Sequence, residues 1–420
     1  MSSARCITYR SIFLILGIGP LLASMVGMAW RSQSSTTDTW SQRLSRDLGL
    51  AASVVAVQHP QPGVVRLESV TLRHPESSEA IAACDLATVS WDANLVAVRL
   101  LGLRLQGGQS HHIWQTLHER VLTQPAAVPV PLRLSADQLS VADGGNRLNL
   151  SELLIEIIPQ ADTSEARVSF RGEPKQPMIS PESEQASYPQ DNRISIHVKR
   201  DRRSALPFTM VRYDGVGIAF SIGHLLGAWK SPCLVSDETT FQGTFSAEML
   251  ESGWNVQANG TACNVSLHDL VGRTFGHTLS GAASIHLDDV DVRDGVVTHL
   301  VGTIKSPAGE IDAKLLQSAQ QYWDMRPLDG GPPDRPLSGS VAYGELYLHI
   351  RLDSTGLALH GSDEDSYTAL KLEDGSAYRL ATELPHSPST VLRVLANDNA
   401  HTVPLSDQGK RLLLALPLAP

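Results

Sequence analysis

The chain has 420 residues, of which 42% are hydrophobic, so it is long and apolar enough to form two or three domains with packed cores. Its formal net charge of -10 argues against nucleic-acid binding, because a polyanionic partner requires a basic surface. Aromatic residues make up only 5%, which leaves few platforms on which bases or sugar rings could stack. With 4 cysteines, the chain has neither a disulfide scaffold nor a cysteine-rich zinc module.

A segment near the N-terminus is long and apolar enough to cross a membrane. Ile12–Trp30 carries no charged residue, and as a helix it would be roughly 28 Å long, close to the thickness of a hydrocarbon core. Because Arg5 and Arg10 precede it, we expect a single crossing with the N-terminus cytoplasmic and the bulk exported. A cleaved signal peptide is the alternative, since Gly27 and Ala29 have the spacing of a signal-peptidase site. The length of the apolar segment favours the uncleaved anchor.

From about residue 54 onward, apolar and polar residues alternate with a period of two, which is typical of strands that bury one face. The clearest run contains Leu346, Leu348, Ile350 and Leu352. The sequence therefore predicts a mostly β fold, an N-terminal transmembrane helix followed by an extended antiparallel β-hairpin meander. A few short helices are predicted at His112–Leu122, Ile218–Ala228, His268–Phe275, Pro307–Tyr322 and Thr390–Ala396.

Two hairpins look like copies of one unit. Asp143-Gly144 and Asp294-Gly295 each separate two alternating runs, and Asp-Gly favours a type I′ turn because both central residues need positive φ. A looser third copy ends at Gly356. Repeated hairpins favour an extended, repetitive sheet over a catalytic fold.

Composition divides the chain into five parts. Residues 159–192 are rich in Pro, Ser, Glu and Gln, so we expect a polar loop or linker there. The parts are a cytoplasmic tip and anchor (1–30), an N-terminal β-rich part (31–158), the linker (159–192), a C-terminal β-rich part (193–400) and a tail (401–420).

The order of these features resembles the AsmA-like family, relatives of the TamB group. An anchor is followed by the strand pair Val54–Val57 and Val64–Leu72, then by His74-Pro75. Trp91-Asp92 precedes the next alternating run, and a short helix and another strand follow. The stretch Leu279–Lys305 resembles the C-terminal part of the same family.

This resemblance implies a periplasmic body on the bacterial inner membrane, in which a curled sheet forms an apolar groove for lipid transport or envelope and outer-membrane assembly. Phospholipid acyl chains would be the ligand; no nucleic acid is expected and no protein partner is identified. The candidate groove residues are Leu346, Leu348, Ile350, Leu352, Leu300 and Ile304.

The alternative is a structural or interaction protein made of two closed, sandwich-like exported β-domains without a lipid ligand. Both alternatives use the same strand alternation. They differ in whether the inward face is open or is dry and packed.

The sequence favours a protein that is not an enzyme and needs no metal or cofactor. His111, His112 and His118 lie near Glu119 without metal-site spacing, which favours a solvated helix face. The acidic run 288–295 has Arg293 where a calcium ligand would be needed, so strand alternation explains it better. A nucleophile elbow, a P-loop and a dinucleotide-binding glycine motif are absent from the sequence.

Three cysteines follow the anchor, in a compartment where disulfides persist. Cys233 and Cys263 flank neighbouring strand segments and are the candidate pair for a disulfide. The alternative is that these residues serve as small buried hydrophobes.

Overall fold

In a computed structural model, the chain is mostly β and divides into two compact units, residues 1–160 and 161–420. The structure describes residues 34–106, 109–124, 130–143, 146–172, 193–216, 220–221, 239–250, 253–272, 275–328, 339–362, 367–380 and 385–395. Within these ranges, no helix has the length and hydropathy needed to span a bilayer. The predicted anchor, Ile12–Trp30, and the tail 401–420 lie outside the described residues.

In the described residues, the first unit contains two α-helices, a π-helical segment and eight strands. The helices are α1 (Ser34–Leu48), α2 (Ser110–Gln115) and the π-helix Thr116–Leu122. The strands are β1 (Ala51–Ser53), β2 (Ala56–Gln61), β3 (Val64–Arg73), β4 (Ala80–Asp92), β5 (Leu95–Leu101), β6 (Leu103–Gln106), β7 (Leu132–Asp143) and β8 (Asn146–Pro159).

The pairing in this unit differs from a pure antiparallel meander. β3 pairs with β1, β2 and β4, and β4 pairs with β5 and β6, all antiparallel. β5 and β6 pair in parallel with β7, which then forms an antiparallel hairpin with β8. Parallel neighbours need a crossover connection, and α2 with the π-helix lies in that connection. The predicted helix at His112–Leu122 is thus confirmed, but the sequence did not predict that the strands before and after it pair in parallel.

Helix α1 is an element that the sequence analysis missed. Its apolar stripe is narrow, consisting of Trp40, Leu44 and Leu48 at spacings of four, all half-buried. Two serines fix the helix to the strand that follows: Ser45 Oγ accepts a hydrogen bond from the amide of Ala52 (2.9 Å). Ser41 accepts another from the residue beyond β1.

Over the ranges given above, the second unit contains fourteen strands, two α-helices and a π-helical segment. The helices are the π-helix His268–Gly272, α3 (Ala313–Tyr322) and α4 (Thr390–Leu395). The strands are β9 (Thr163–Gly172), β10 (Arg193–Asp201), β11 (Phe208–Asp214), β12 (Phe220–Ser221), β13 (Thr240–Met249), β14 (Trp254–Ser266), β15 (Ala282–Arg293), β16 (Val296–Ser306), β17 (Gly309–Asp312), β18 (Met325–Pro327), β19 (Ser340–Asp353), β20 (Gly356–His360), β21 (Thr368–Leu372) and β22 (Ala377–Leu380).

Nine of these strands follow one another as antiparallel neighbours, in the order β9–β10–β11–β13–β14–β15–β16–β19–β20. The short strand β12 pairs with β13, while β17 and β21 pair with β19. β22 joins β21 to β18. In the turn between β15 and β16, Asp294 has φ 51° and Gly295 has φ 81°, which confirms the predicted type I′ hairpin. The corresponding Gly144 lies outside the described residues.

Three other expectations are corrected. Residues 163–172, placed in the polar linker, form β9, because Ala166, Val168 and Phe170 supply an apolar face on which Ala166 and Phe170 are buried; 173–192 lie outside the described residues. The expected helix Ile218–Ala228 is wrong at Phe220–Ser221, which form β12, and its other residues lie outside the described ranges. Helix α3 begins later than expected, because residues 309–312 form β17.

Candidate functional site

A single row of apolar residues crosses all nine consecutive strands of the second unit. Each member lies directly opposite the next in the strand register, and the row therefore occupies one face. Its members are Val168, Ile196, Tyr213, Phe245, Ala258, Val290, Leu300, Leu352 and Leu357. Eight spacings of about 4.8 Å give this row a length of roughly 38 Å along the sheet. We call the face that carries it the apolar face.

All six candidate groove residues lie on the apolar face. In the register of β16 and β19, Leu300 lies opposite Leu352, and Ile304 lies opposite Leu348. Ile350 lies opposite Gly302, while Leu346 lies opposite Ser306. Strand alternation in the sequence thus identified which side chains share a face.

The apolar face is not uniformly covered. Leu352, Leu357 and Tyr213 are buried, with 3%, 3% and 0% of their surface exposed. The other six members, on β9, β10 and β13–β16, are only half-buried, as are Leu348 and Ile350 on β19. The centre of the face is therefore accessible, although the side chains there are apolar.

The first unit has a comparable row whose side chains are better covered. Six strands contribute opposed residues to it, namely Val57, Leu67, Ala87, Leu100, Ala136 and Leu153. All of these except the half-buried Leu100 are buried, with exposures of 1–5%. This row forms an ordinary packed core.

Two opposed glycines lie beside the central row. Gly243 on β13 and Gly260 on β14 have φ of 151° and 150°, and a Cβ atom on Gly260 would lie 2.3 Å from the carbonyl oxygen of Gln242. Next to Gly260, the pairing of β14 with β15 has a register shift between Ala258 and Gly260. Glycine kinks and bulges are devices that curve a sheet, so the sheet is locally distorted where the apolar face is accessible.

The opposite face of the same strands is polar. Its central row is Thr261, His286, Thr303, His349 and His360, again directly opposed across five strands. Side-chain hydrogen bonds join its members: Thr261 Oγ1 lies 2.8 Å from His286 Nδ1, and Thr303 Oγ1 lies 3.1 Å from His349 Nδ1. The sheet is therefore amphipathic through its central strands.

The residues considered for metal binding do not converge in the described ranges, where no group of three or more ligands is found. The ring of His112 lies 4.2 Å from that of His74, and His118 stacks on Trp114. The side chain of His111 lies outside the described part.

In the acidic run 288–295, Asp288, Asp289 and Asp291 each lie within 4 Å of a basic side chain, and the partner of Asp289 is His299 at 3.6 Å. Asp288 lies 3.1 Å from His286 Nε2, and Asp291 lies 2.8 Å from a guanidinium nitrogen of Arg293. Asp291 and Arg293 follow the strand alternation that the sequence predicts, whereas Asp288 lies at a register shift between Leu287 and Asp289.

Cys263 lies on β14 opposite Thr240, and its candidate partner Cys233 lies outside the described residues. Cys84 is buried on β4, and burial raises the pKa of its thiol. A buried thiol of this kind is a poor nucleophile.

In comparisons with known proteins, the chain matches no protein-family model, no curated protein and no solved structure.

Proposed function

We propose that the second unit binds lipid acyl chains on its apolar face, in an exported, membrane-anchored protein that takes part in lipid transport or envelope assembly. The observation that carries this proposal is the half-burial of the central row on β13–β16. Apolar surface exposed to water costs about 25 cal/mol per Å², and large exposed apolar patches mark binding surfaces in soluble domains. Acyl chains have no polar groups, which suits a face on which the five neighbouring strands β13–β16 and β19 present apolar side chains.

The resemblance to the AsmA-like family points in the same direction. It implies the periplasmic location, whereas the anchor is inferred from the apolar segment Ile12–Trp30. Both are part of this proposal, as is the absence of an enzymatic activity. The apolar groove of that family would correspond to the apolar face of β13–β16 and β19.

The alternative, a structural protein with closed β-domains, is favoured by one observation in the first unit. There the apolar row from Val57 to Leu153 is buried on almost every strand. A closed first unit is compatible with a lipid-binding second unit. Only lipid binding by the second unit therefore distinguishes the two proposals.

The test is the lipid content of the full-length chain purified in a mild detergent, measured by organic extraction and native mass spectrometry. Ala258, half-buried on the central row, is replaced by Trp to fill the face, and exposed Gln257 on the polar face is replaced by Trp as the matched control. The wild type and Gln257→Trp should retain near-stoichiometric lipid, whereas Ala258→Trp should lose most of it. Absence of lipid from the wild type would support the closed alternative.

A further inference from the structure

The apolar face of the second unit ends in a polar row. Two residues along from the buried Ala166, Val198 and Val211, the opposed residues on β9, β10 and β11 are Ser164, Arg200 and Thr209. Because side chains alternate along a strand, these three residues lie on the same face as the apolar row.

Two arginines are held at this end by buried hydroxyls. Arg200 Nη1 donates a hydrogen bond to Thr209 Oγ1 at 2.9 Å. Arg202 donates from Nη1 and Nη2 to Ser164 Oγ at 3.2 and 3.1 Å. Ser164 and Thr209 are each only 1% exposed, so they hold both guanidinium groups in position at the margin of the face.

One of the two guanidinium groups, that of Arg200, is not fully hydrogen-bonded within the chain. The Nε atom of Arg200 is buried and has no hydrogen-bond partner. The adjacent carboxylate, Asp201, alternates to the other face and is bonded by Arg203. Burial and the charge of Arg202 both lower the pKa of Arg200, although a guanidinium remains protonated at neutral pH.

We propose that Arg200 and Arg202 bind the phosphate of a lipid headgroup, an inference that rests on the proposed function. Guanidinium groups recognise phosphate oxygens through paired, charge-assisted hydrogen bonds. Beyond Thr209, the polar row is continued by Met249 on β13 and the half-buried Trp254 on β14. Apolar surface therefore adjoins the cationic end of the face. Tryptophan is favoured where an apolar region meets a wet one.

The experiment compares two lipids with identical acyl chains. Full-length chain in dodecyl maltoside is equilibrated with radiolabelled dipalmitoyl phosphatidic acid or with dipalmitoylglycerol, which lacks the phosphate, and retained lipid is counted after gel filtration. Wild type should retain phosphatidic acid about tenfold more tightly, as expected for a charged hydrogen-bonded contact. Arg200→Gln should abolish this preference without changing retention of dipalmitoylglycerol, a readout that a folding defect would not give. Arg202→Gln should have the same effect.

Arg212→Gln is the matched control, because it removes the same charge from the exposed polar face of β11. Equal retention of the two lipids by wild type, or an equal loss of preference in Arg212→Gln, would overturn the headgroup site while leaving acyl-chain binding intact. Retention of neither lipid would overturn both proposals. Labelled inorganic phosphate forms a third arm: Arg200-dependent retention of phosphate by a chain that retains neither lipid would identify a free-phosphate site and exclude the lipid source.

Discussion

The ring of Tyr213 on β11 stacks on the ring of Phe245 on β13, with centroids 5.2 Å apart and planes inclined by 13°. Tyr213 is fully buried, whereas Phe245 and the residue opposite Tyr213 on β10, Ile196, are half-buried. The Tyr213 hydroxyl has no hydrogen-bond partner, and burial raises the pKa of that phenol.

Tyr213→Phe should therefore stabilise the second unit, because it removes a buried and unsatisfied hydroxyl while keeping the stacked ring. An unsatisfied polar group costs about 1–3 kcal/mol, so we expect a gain of up to about 1 kcal/mol after relaxation. Urea unfolding of the two proteins measures the difference. Tyr343→Phe is the control: its hydroxyl donates to the carbonyl oxygen of Ser280 at 2.7 Å, so its loss should destabilise the unit by about 1–2 kcal/mol.

Ile350→Asp and Leu352→Asp should differ sharply, although both residues lie on the apolar face of β19. Leu352 is 3% exposed, so an aspartate there would bury an unpaired charge at a cost of several kcal/mol and unfold the unit. Ile350 is half-buried, so the carboxylate of an aspartate at this position can reach water. The fold should therefore survive while bound lipid is lost.

Thermal unfolding and lipid content together measure this prediction. Arg351→Ala, on the exposed face between the two residues, removes only a surface ion pair with Asp353 and should change stability by less than about 1 kcal/mol. If Ile350→Asp unfolds the unit as severely as Leu352→Asp, the face is closed at β19.

Gly260→Ala should destabilise the second unit strongly. The glycine has φ 150°, and an added Cβ would lie 2.3 Å from the carbonyl oxygen of Gln242 and 2.8 Å from Gly243 Cα, both backbone atoms. We expect a loss of more than about 2 kcal/mol in denaturant unfolding. Gly344→Ala serves as the control, since no atom lies within 4 Å of its added Cβ and its effect should stay within about 0.5 kcal/mol. Equal effects in the two variants would contradict the local distortion described for β13 and β14.

The β19–β20 turn should lose stability in acid through Asp353. Hydrogen bonds from the Thr355 hydroxyl and amide, with Arg351 beside them, lower the pKa of this carboxyl in the folded chain. A depressed carboxyl pKa contributes stability above its unfolded value, near 3.9, that is lost as the pH falls through the lower folded value. Denaturant unfolding between pH 7 and pH 3 should therefore show a smaller acid dependence for Asp353→Asn than for the wild type.

Local patterns in the sequence predicted much of the second unit. The alternation of Leu346 to Leu352 depends only on neighbouring residues, so it identified the face of β19 correctly. The parallel pairing of β5 with β7 could not be predicted in this way, because the choice of a strand partner depends on contacts distant in sequence. The nine-strand row and the polar end at Arg200 also depend on register between strands, which alternation within each strand does not determine.

The most direct test of acyl-chain binding is site-specific photo-crosslinking in the full-length chain in its native membrane. A photoreactive phenylalanine replaces Leu348 on the apolar face, and the same residue replaces His349 on the polar face as the control. After irradiation, lipid adducts are identified by mass spectrometry of the purified chain. Acyl-chain adducts at position 348 and none at position 349 are the predicted result. Equal labelling at both positions, or none at either in a folded chain, would contradict lipid binding by the apolar face.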